Sequence, residues 1–217
     1  VIAKHIPGQG KTYIAYDLFG RTVMLQDEKQ RAENKWAFIK YDEFNRPVMS
    51  GTITTPLNKD SIINQASVSN DYPVLTSGYE VFSETYYDEY RWADATELSA
   101  TIDSSHINEN NFNFSLNNGP DYAQPISVTQ RIRGMATGAK VRILGTNDFL
   151  YSLFLYDDFG RVVQAKGTNI TGGLEVSTMQ YSFSGKTLSS HFFQSTGLSN
   201  AQQHTVSTKY SYDHAGR

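Results

Sequence analysis

The chain has 217 residues, with 19 Lys and Arg against 22 Asp and Glu, a formal net charge of −3 and no cysteine. These values exclude disulfides, thiolate metal sites and a cysteine nucleophile, and the balanced charge argues against nucleic acid as a partner. Aromatic residues make up 13% of the chain, which favours β-sheet. The densest apolar run, FLYSLFLY at residues 149–156, has the length of a strand and predicts a strand covered on both faces, so we expect no membrane span.

The first suggestive stretch is GQGKT at residues 8–12, which is similar to the end of a phosphate-binding loop. Such a loop needs a glycine at the position of His5, and Pro7 removes an amide donor from the supposed cradle. Residues 12–17 alternate with a period of two, which is typical of a strand and not of the helix that follows a phosphate loop. We therefore interpret this stretch as a turn that leads into a strand.

A six-residue motif recurs along the chain, and such self-similarity decides the architecture. The spacing from Tyr16 to Tyr41 equals the spacing from Tyr156 to Tyr181, which indicates one structural unit. The copies are YDLFGR at Tyr16, YDEFNR at Tyr41, YDEYRW at Tyr87, YDDFGR at Tyr156, YSFSGK at Tyr181 and YDHAGR at Tyr212.

The motif predicts a tight hairpin turn. With Leu18 and Phe19 at the centre of a type I turn, Gly20 takes the left-handed position that forms a bulge. Asp17 stands first in the turn, where its carboxylate can accept a backbone N–H, and pairs with Arg21 across the loop. The predicted structural positions in the copies other than YDEYRW are Tyr16, Asp17, Gly20, Arg21, Tyr41, Asp42, Asn45, Arg46, Tyr156, Asp157, Gly160, Arg161, Tyr181, Ser182, Gly185, Lys186, Tyr212, Asp213, Gly216 and Arg217.

The variant copies obey the same turn. Asn45 replaces glycine, and asparagine tolerates positive φ better than other non-glycine residues. Ser182 replaces aspartate with a weaker hydrogen-bonding group, and Lys186 keeps the positive charge. Only the copy at Tyr87 breaks the pattern, because Arg91 stands where glycine is needed, and there we expect a different loop.

Alternating sequences flank the turns, so each unit is predicted to be a β-hairpin that stacks on its neighbours. We predict a first repeat block over residues 1–56 and a second, cut short at its C-terminal end, over 126–217. Between them lies a segment of degenerate repeats or insertion, 57–125. It contains a short helix predicted over 94–105 and an Asn-rich loop over 108–118.

Residue types that carry catalysis lack the spacing that catalysis requires. Asp157 and Asp158 are adjacent in sequence, as are Asp88 and Glu89, so their side chains point to opposite faces of a strand and do not converge. We find no nucleophile motif of the G-x-S-x-G type. We therefore expect no catalytic, cofactor-binding or metal-binding residue, and predict that the chain is not an enzyme. The histidines also lack metal-ligand spacing: His5, His106, His191, His204 and His214.

The row of motif tyrosines leaves two interpretations open. One tyrosine per hairpin could stack on sugar rings, or the same spacing arises because the rings pack against the next hairpin. We favour packing. The alternative function is a carbohydrate- or partner-binding adhesion module of the cell surface.

Tandem Y-D-x-x-G-R hairpins resemble the YD repeats of bacterial Rhs (rearrangement-hotspot) and wall-associated proteins, which animal teneurins share. The clear resemblance covers residues 13–50 and 131–217, and residues 137–173 look especially like the repeat region of large bacterial Rhs-type surface proteins. The expected fold is all-β, with stacked antiparallel hairpins that form a curved sheet or partial β-shell around a less regular middle segment.

The resemblance also implies a function. In many relatives the hairpins form a hollow shell around a carboxy-terminal toxin, preceded by a core-associated segment that can cleave itself. We expect those two segments to lie outside this sequence, so neither activity is assigned to a residue here. The resemblance implies a secreted or bacterial cell-surface protein whose partners are the rest of its own polypeptide: further repeats, the core segment and the toxin.

Overall fold

Antiparallel β-strands carry the fold in a computed structural model that describes residues 3–6, 10–119, 121–213, 215 and 217. The predicted all-β class is confirmed. The strands are β1 Ala3–Ile6, β2 Gly10–Tyr16, β3 Thr22–Gln26, β4 Lys35–Tyr41, β5 Pro47–Thr54, β6 Tyr79–Tyr87, β7 Ala136–Arg142, β8 Phe149–Tyr156, β9 Val162–Thr168, β10 Leu174–Tyr181, β11 Thr187–Ser195 and β12 Gln203–Lys209. The short helices among these residues are α1 Glu28–Ala32, α2 Lys59–Ser67 and the 3₁₀ helix Arg91–Ala95.

The chain divides into two compact units, Val1–Thr85 and Tyr86–Arg217, called unit one and unit two below. In each unit, consecutive strands pair antiparallel in chain order, as stacked hairpins require. The segment 57–125 is shared between the units, since its first part carries α2 in unit one and its last part belongs to unit two. None of the helices in the described part of the chain is long and apolar enough to cross a membrane.

In four of the six motif copies the hairpin shifts register at the motif tyrosine. Tyr16 pairs with Thr22 whereas Ala15 pairs with Met24, so the return strand carries one extra residue. The extra residue is Val23, which lies in the return strand and is distinct from the bulge predicted at Gly20. The same shift precedes the motif tyrosine in other copies, at Lys40/Tyr41, Leu155/Tyr156 and Gln180/Tyr181.

A helix covers one face of the unit-one hairpins. Trp36 and Phe38 alternate along β4 and are fully buried in one cluster with Ile62 and Ala66 of α2. The helix begins where the side chain of Asn58 accepts the N–H of the residue at the third helical position, at 2.9 Å. Burial of an apolar side chain of this size contributes about 2–3 kcal/mol, so this cluster ties α2 to the sheet.

The core of unit two lies on one face of β8 and β9. Leu153 and Leu155 are fully buried and cluster with Val163 and Leu98. On the opposite face of β8, Phe154 is half-buried. The strand predicted to be covered on both faces is therefore buried at Leu153 and Leu155 on one face and only partly covered on the other.

The helix predicted over residues 94–105 does not form. The 3₁₀ helix Arg91–Ala95 ends at Thr96, which is extended. Beyond it, the carbonyls of Ser99 and Thr101 accept hydrogen bonds from the ammonium of Lys166. Backbone groups that a helix would satisfy internally are thus bonded to the sheet. Their partner, Lys166, is distant in sequence, so local sequence patterns do not reveal it.

Candidate functional site at the repeat turns

The first motif copy shows the geometry of the turn. The amide of Gly20 donates to the carbonyl of Asp17 at 3.0 Å, and the amide of Asp17 donates to the carbonyl of Arg21 at 3.0 Å. One oxygen of the Asp17 carboxylate accepts the amides of Phe19 at 2.9 Å and Arg21 at 2.8 Å. The buried carboxylate therefore holds the backbone of the loop from inside, as an Asx turn does.

The fifth motif position adopts the left-handed backbone conformation. Its φ is 77° at Gly20 and 63° at Asn45, so asparagine takes the conformation that glycine takes elsewhere. Gly160 and Gly185 have φ values of 76° and 89°. Gly216, the remaining predicted position of this kind, lies outside the described residues.

The sixth position closes the loop with an ion pair. The Nε of Arg21 lies 2.6 Å from Oδ2 of Asp17, and Arg161 bonds Asp157 at the same distance. The copy at Tyr212 is more exposed and looser, with 3.2 Å between Arg217 Nε and Asp213 Oδ2. Ser182 substitutes for aspartate by accepting the amide of Lys186 on its hydroxyl at 3.0 Å.

The same pairing sets the ionisation of the turn carboxylate in the copy at Tyr41. Burial disfavours the charged form of Asp42, but hydrogen bonds from the Arg46 amide and guanidinium and from the Phe44 amide outweigh it. They hold the pKa of Asp42 below its ordinary value. The guanidinium Nε lies 2.7 Å from the carboxylate. The carboxylate is therefore kept in the form that closes the turn.

Two of the motif arginines, Arg161 and Arg21, each lie between two aromatic rings. The guanidinium carbon of Arg161 is 4.7 Å from the ring centre of Phe159 in its own turn and 4.7 Å from that of Tyr181 in the next motif copy. In unit one, Arg21 lies 5.0 Å from Phe19 and 4.7 Å from Tyr41. One cation thus joins two successive hairpins by cation–π contacts. We call this arrangement the repeat junction.

The motif tyrosine completes the repeat junction through its hydroxyl. Tyr41 donates to the carbonyl of Thr22 at 3.0 Å, and Tyr181 donates to the carbonyl of Val162 at 2.8 Å. In both cases the acceptor directly follows the arginine of the preceding turn. Tyr212 makes the same bond to Thr187 at 2.8 Å. The hydroxyl and one ring face of these tyrosines are used inside the protein, as the packing interpretation expects.

Burial of the junction tyrosines is reflected in their ionisation. Burial raises the pKa of Tyr41, Tyr156 and Tyr181 above the ordinary value of tyrosine. A raised pKa keeps the phenol protonated, so that it can donate its hydrogen bond. The phenols of Tyr41 and Tyr181 are thus held as fixed hydrogen-bond donors.

The copy at Tyr87 is a repeat turn split by an insertion. The amide of Asp88 donates to the carbonyl of Met135 at 3.1 Å, as Asp17 does to Arg21, and the amide of Gly134 donates to the Asp88 carboxylate. Tyr156 then donates to the carbonyl of Ala136 at 2.6 Å, which is the usual junction bond. The glycine missing from YDEYRW is therefore Gly134. Residues 89–133, called the strap below, are inserted in the loop.

Glutamine side chains hold the strap against the sheet of unit two. The amide group of Gln164, which is fully buried, accepts the N–H of Asp103 at 2.8 Å and donates to its carbonyl at 2.8 Å. Gln180 repeats this two-way contact with Asn113, at 2.9 and 2.8 Å. Lys166 adds its bonds to the strap carbonyls, and burial lowers its pKa. These polar side chains recognise extended backbone in the way a neighbouring strand would.

The sequence also contains a turn that the hexamer search misses. Asn169 accepts the amides of Thr171 and Gly173 on its side-chain oxygen, at 3.1 and 3.0 Å, and Gly172 has a φ of 76°. This is the geometry of the motif turn, with asparagine in place of aspartate, at the loop between β9 and β10. The N-x-x-G spacing of NITG is the signal that could have found it.

Three further observations bear on chemistry or binding. The adjacent carboxylates Asp157 and Asp158 have separate tasks, because Asp157 closes its turn and Asp158 accepts hydrogen bonds from Thr129 and Arg131. No group of three or more His, Cys, Asp and Glu that could hold a metal occurs among the residues that the structure describes. Unit two also has a cavity of about 630 Å³ lined by Phe114, Tyr210 and other side chains.

Fold and site together define an all-β protein of hairpins joined by a repeated turn. No protein-family model and no curated protein sequence matches the chain. Among solved structures, a chain from the "Crystal Structure of TcdB2-TccC3" is similar, with 9% sequence identity and a TM-score of 0.38. The match covers all of this chain and 9% of that one. At this identity and score the likeness carries no argument, so the functional argument rests on the residues of this chain.

Proposed function

We propose that the chain is a noncatalytic structural segment of a large secreted or cell-surface protein of the YD-repeat type, whose hairpins build a shell that encloses or presents an effector. The observation that carries this proposal is the repeat junction. Arg161 lies between the rings of Phe159 and Tyr181, and the hydroxyl of Tyr181 bonds back to the previous hairpin. The recurring side chains are thus occupied in joining one hairpin to the next.

The proposal also explains why the motif recurs although its surroundings differ. A turn that is closed by its own aspartate and joined to the next hairpin by its own arginine needs few other contacts, so such hairpins can be added in series. The proposed partners are accordingly the rest of the same polypeptide: further repeats, a core segment and the effector.

The test is protease protection in the full-length gene product. We expect the segment that follows the repeats to resist a protease at concentrations that digest it rapidly when it is expressed alone. The variant Asp157→Ala, which opens a turn, is expected to shorten the lifetime of that segment at least several-fold, whereas Asp158→Ala next to it is the matched control. Equal digestion of the segment inside the wild-type protein and alone would rule out enclosure.

The cavity in unit two favours a second candidate function, binding of a cell-surface glycan. Phe114 and Tyr210 line it with partly exposed rings, and Glu109, Asp121 and Lys209 add charged groups. Aromatic faces beside hydrogen-bonding groups are suited to sugar rings. A glycan screen with the wild-type protein tests this function, with Phe114→Ala and Tyr210→Ala as the variants expected to lose any signal. A screen without a hit would eliminate it and leave the structural role untouched.

A further inference from the structure

A chain of hydrogen bonds links the strap to strands β11 and β12 around His191. The side-chain nitrogen of Asn111 donates to the carbonyl of His106 at 2.8 Å, and the hydroxyl of Ser207 donates to the side-chain oxygen of Asn111 at 2.9 Å. The Nδ1 of His191 lies 2.7 Å from the same hydroxyl. Since the hydroxyl proton is directed at Asn111, this network assigns the imidazole proton to Nδ1 of His191.

The other imidazole nitrogen of His191 is buried without a partner. The ring is 4% exposed, and no hydrogen-bonding group of the described residues reaches Nε2. The ring of His106 stacks on it with 4.8 Å between ring centres and 28° between planes, and also stacks on Phe193 at 4.9 Å. A proton on Nε2 would therefore create a buried N–H without an acceptor and a positive charge against a second imidazole.

The charged groups around the pair do not compensate for that charge. On the strap, the pKa of Asp103 is lowered, first by hydrogen bonds from Ser105 and then by Lys166 and His106, so this carboxylate is already engaged. Across the ladder from His191, β10 presents Thr178 and β12 presents Ser207. Lys209, two residues along β12 from Ser207, carries a positive charge. Glu109 of the strap lines the unit-two cavity that Lys209 also lines.

We propose that His106 and His191 form an acid-sensitive latch that fastens the middle of the strap to β11 and β12 at neutral pH and releases it when His191 takes a proton. Burial, and then the nearby His106, lower the pKa of His191 below its ordinary value. When the strap is released, His191 is exposed to water and its pKa is about 6.5. The released state therefore binds more protons, so the latch is fully closed above that value and weakens as the pH falls below it.

Hydrogen–deuterium exchange of the strap against pH tests the latch directly. Between pH 7.5 and pH 5, after correction for intrinsic rates, residues 104–113 are expected to lose protection by up to roughly tenfold per pH unit below the ordinary pKa, the slope for one proton. Peptides from β8 and β9 are expected to keep theirs. Constant protection of 104–113, or a parallel loss in β8 and β9, would overturn the proposal.

Variants separate the latch from general acid sensitivity. His191→Leu is expected to make strap protection independent of pH, whereas His204→Gln, on the outward face of β12, is the matched control that leaves the pH dependence as in the wild type. If His191→Leu keeps the pH dependence, the latch is wrong. Should that variant not fold, an NMR titration of wild-type His191 decides, since a midpoint at or above about 6.5 contradicts the proposal.

Discussion

The aspartate at the second position of the motif organises the turn in the copies that carry it. The carboxylate of Asp157 accepts the amides of Phe159 and Arg161, and also the guanidinium of Arg161, while the residue is only 5% exposed. Its neighbour Asp158 has an exposed carboxylate, held by Thr129 and Arg131. Two adjacent residues of one type thus make contacts that differ in burial, which provides an internal comparison.

Replacing Asp157 by alanine is expected to lower the free energy of unfolding by about 3 kcal/mol. The variant leaves the Arg161 guanidinium without its counter-ion and two loop amides without their acceptor. Asp158→Ala, the control, breaks an exposed ion pair and is expected to cost clearly less. Urea denaturation measures both, and equal costs would show that the carboxylate does not organise the turn.

The left-handed position gives a second prediction at the same scale. A Cβ at Gly20 meets no atom within 4 Å, so only its φ of 77° penalises a side chain there. Gly20→Val is expected to destabilise by about 1–3 kcal/mol and Gly20→Asn by clearly less, because Asn45 already adopts this conformation. Thermal melts of the two variants that coincide with the wild type would refute the bulge assignment.

At the scale of the element, the unit is a hairpin together with its junction to the next one. Arg161 belongs to one turn and Tyr181 to the next, yet the guanidinium contacts that ring and the phenol bonds the carbonyl of Val162. Lys186 and Tyr212 make the corresponding contact at 4.9 Å, with a lysine and a more exposed tyrosine. The chain therefore contains a less exposed Arg–Tyr junction and a more exposed Lys–Tyr junction.

A double-mutant cycle on Arg161→Met and Tyr181→Leu is expected to show a coupling energy of about 1 kcal/mol. The matched cycle on Lys186→Met and Tyr212→Leu should give a smaller coupling, because that pair is more exposed to water. Both are measured by urea denaturation. A coupling of zero for the first pair would mean that the guanidinium and the ring only happen to be neighbours.

The strap gives a prediction of its own. Gln164→Leu removes both bonds to the backbone of Asp103 and leaves that partly buried N–H and carbonyl without these partners. We expect a loss of roughly 2–4 kcal/mol in the free energy of unfolding and faster hydrogen exchange in residues 99–105. Gln194→Leu is the control, because Gln194 bonds Glu175 on the other face of the sheet. Equal exchange in the two variants would contradict this role.

The repeat turns could be predicted because their determinants are local. Asp17, Gly20 and Arg21 lie within one loop, so hydrogen bonding and backbone sterics of neighbouring residues decide its shape. The second aromatic partner of Arg21, Tyr41, could not be derived, because it comes from the next hairpin. The same reason hid the relation of Asp88 to Gly134, since the whole strap separates them in sequence.

At the scale of the whole molecule, both units use one plan. In each, hairpins present one face to an inserted segment, which is α2 in unit one and the strap in unit two. In unit one the covering contacts are apolar, through Trp36 and Ile62, whereas in unit two they include the buried amide of Gln164. The motif hairpins are the same in both units, whereas the segments that cover them differ in structure and in the contacts they make.

We propose that this framework is a wall segment of a larger enclosure. Electron cryomicroscopy of the full-length gene product tests it most directly. We expect the hairpins of residues 10–56 and 136–213 to lie in the wall of a hollow shell, with further hairpins continuing it and density for the effector inside. A structure in which these hairpins form a module projecting from the protein, with the segment after the repeats outside it, would contradict the account.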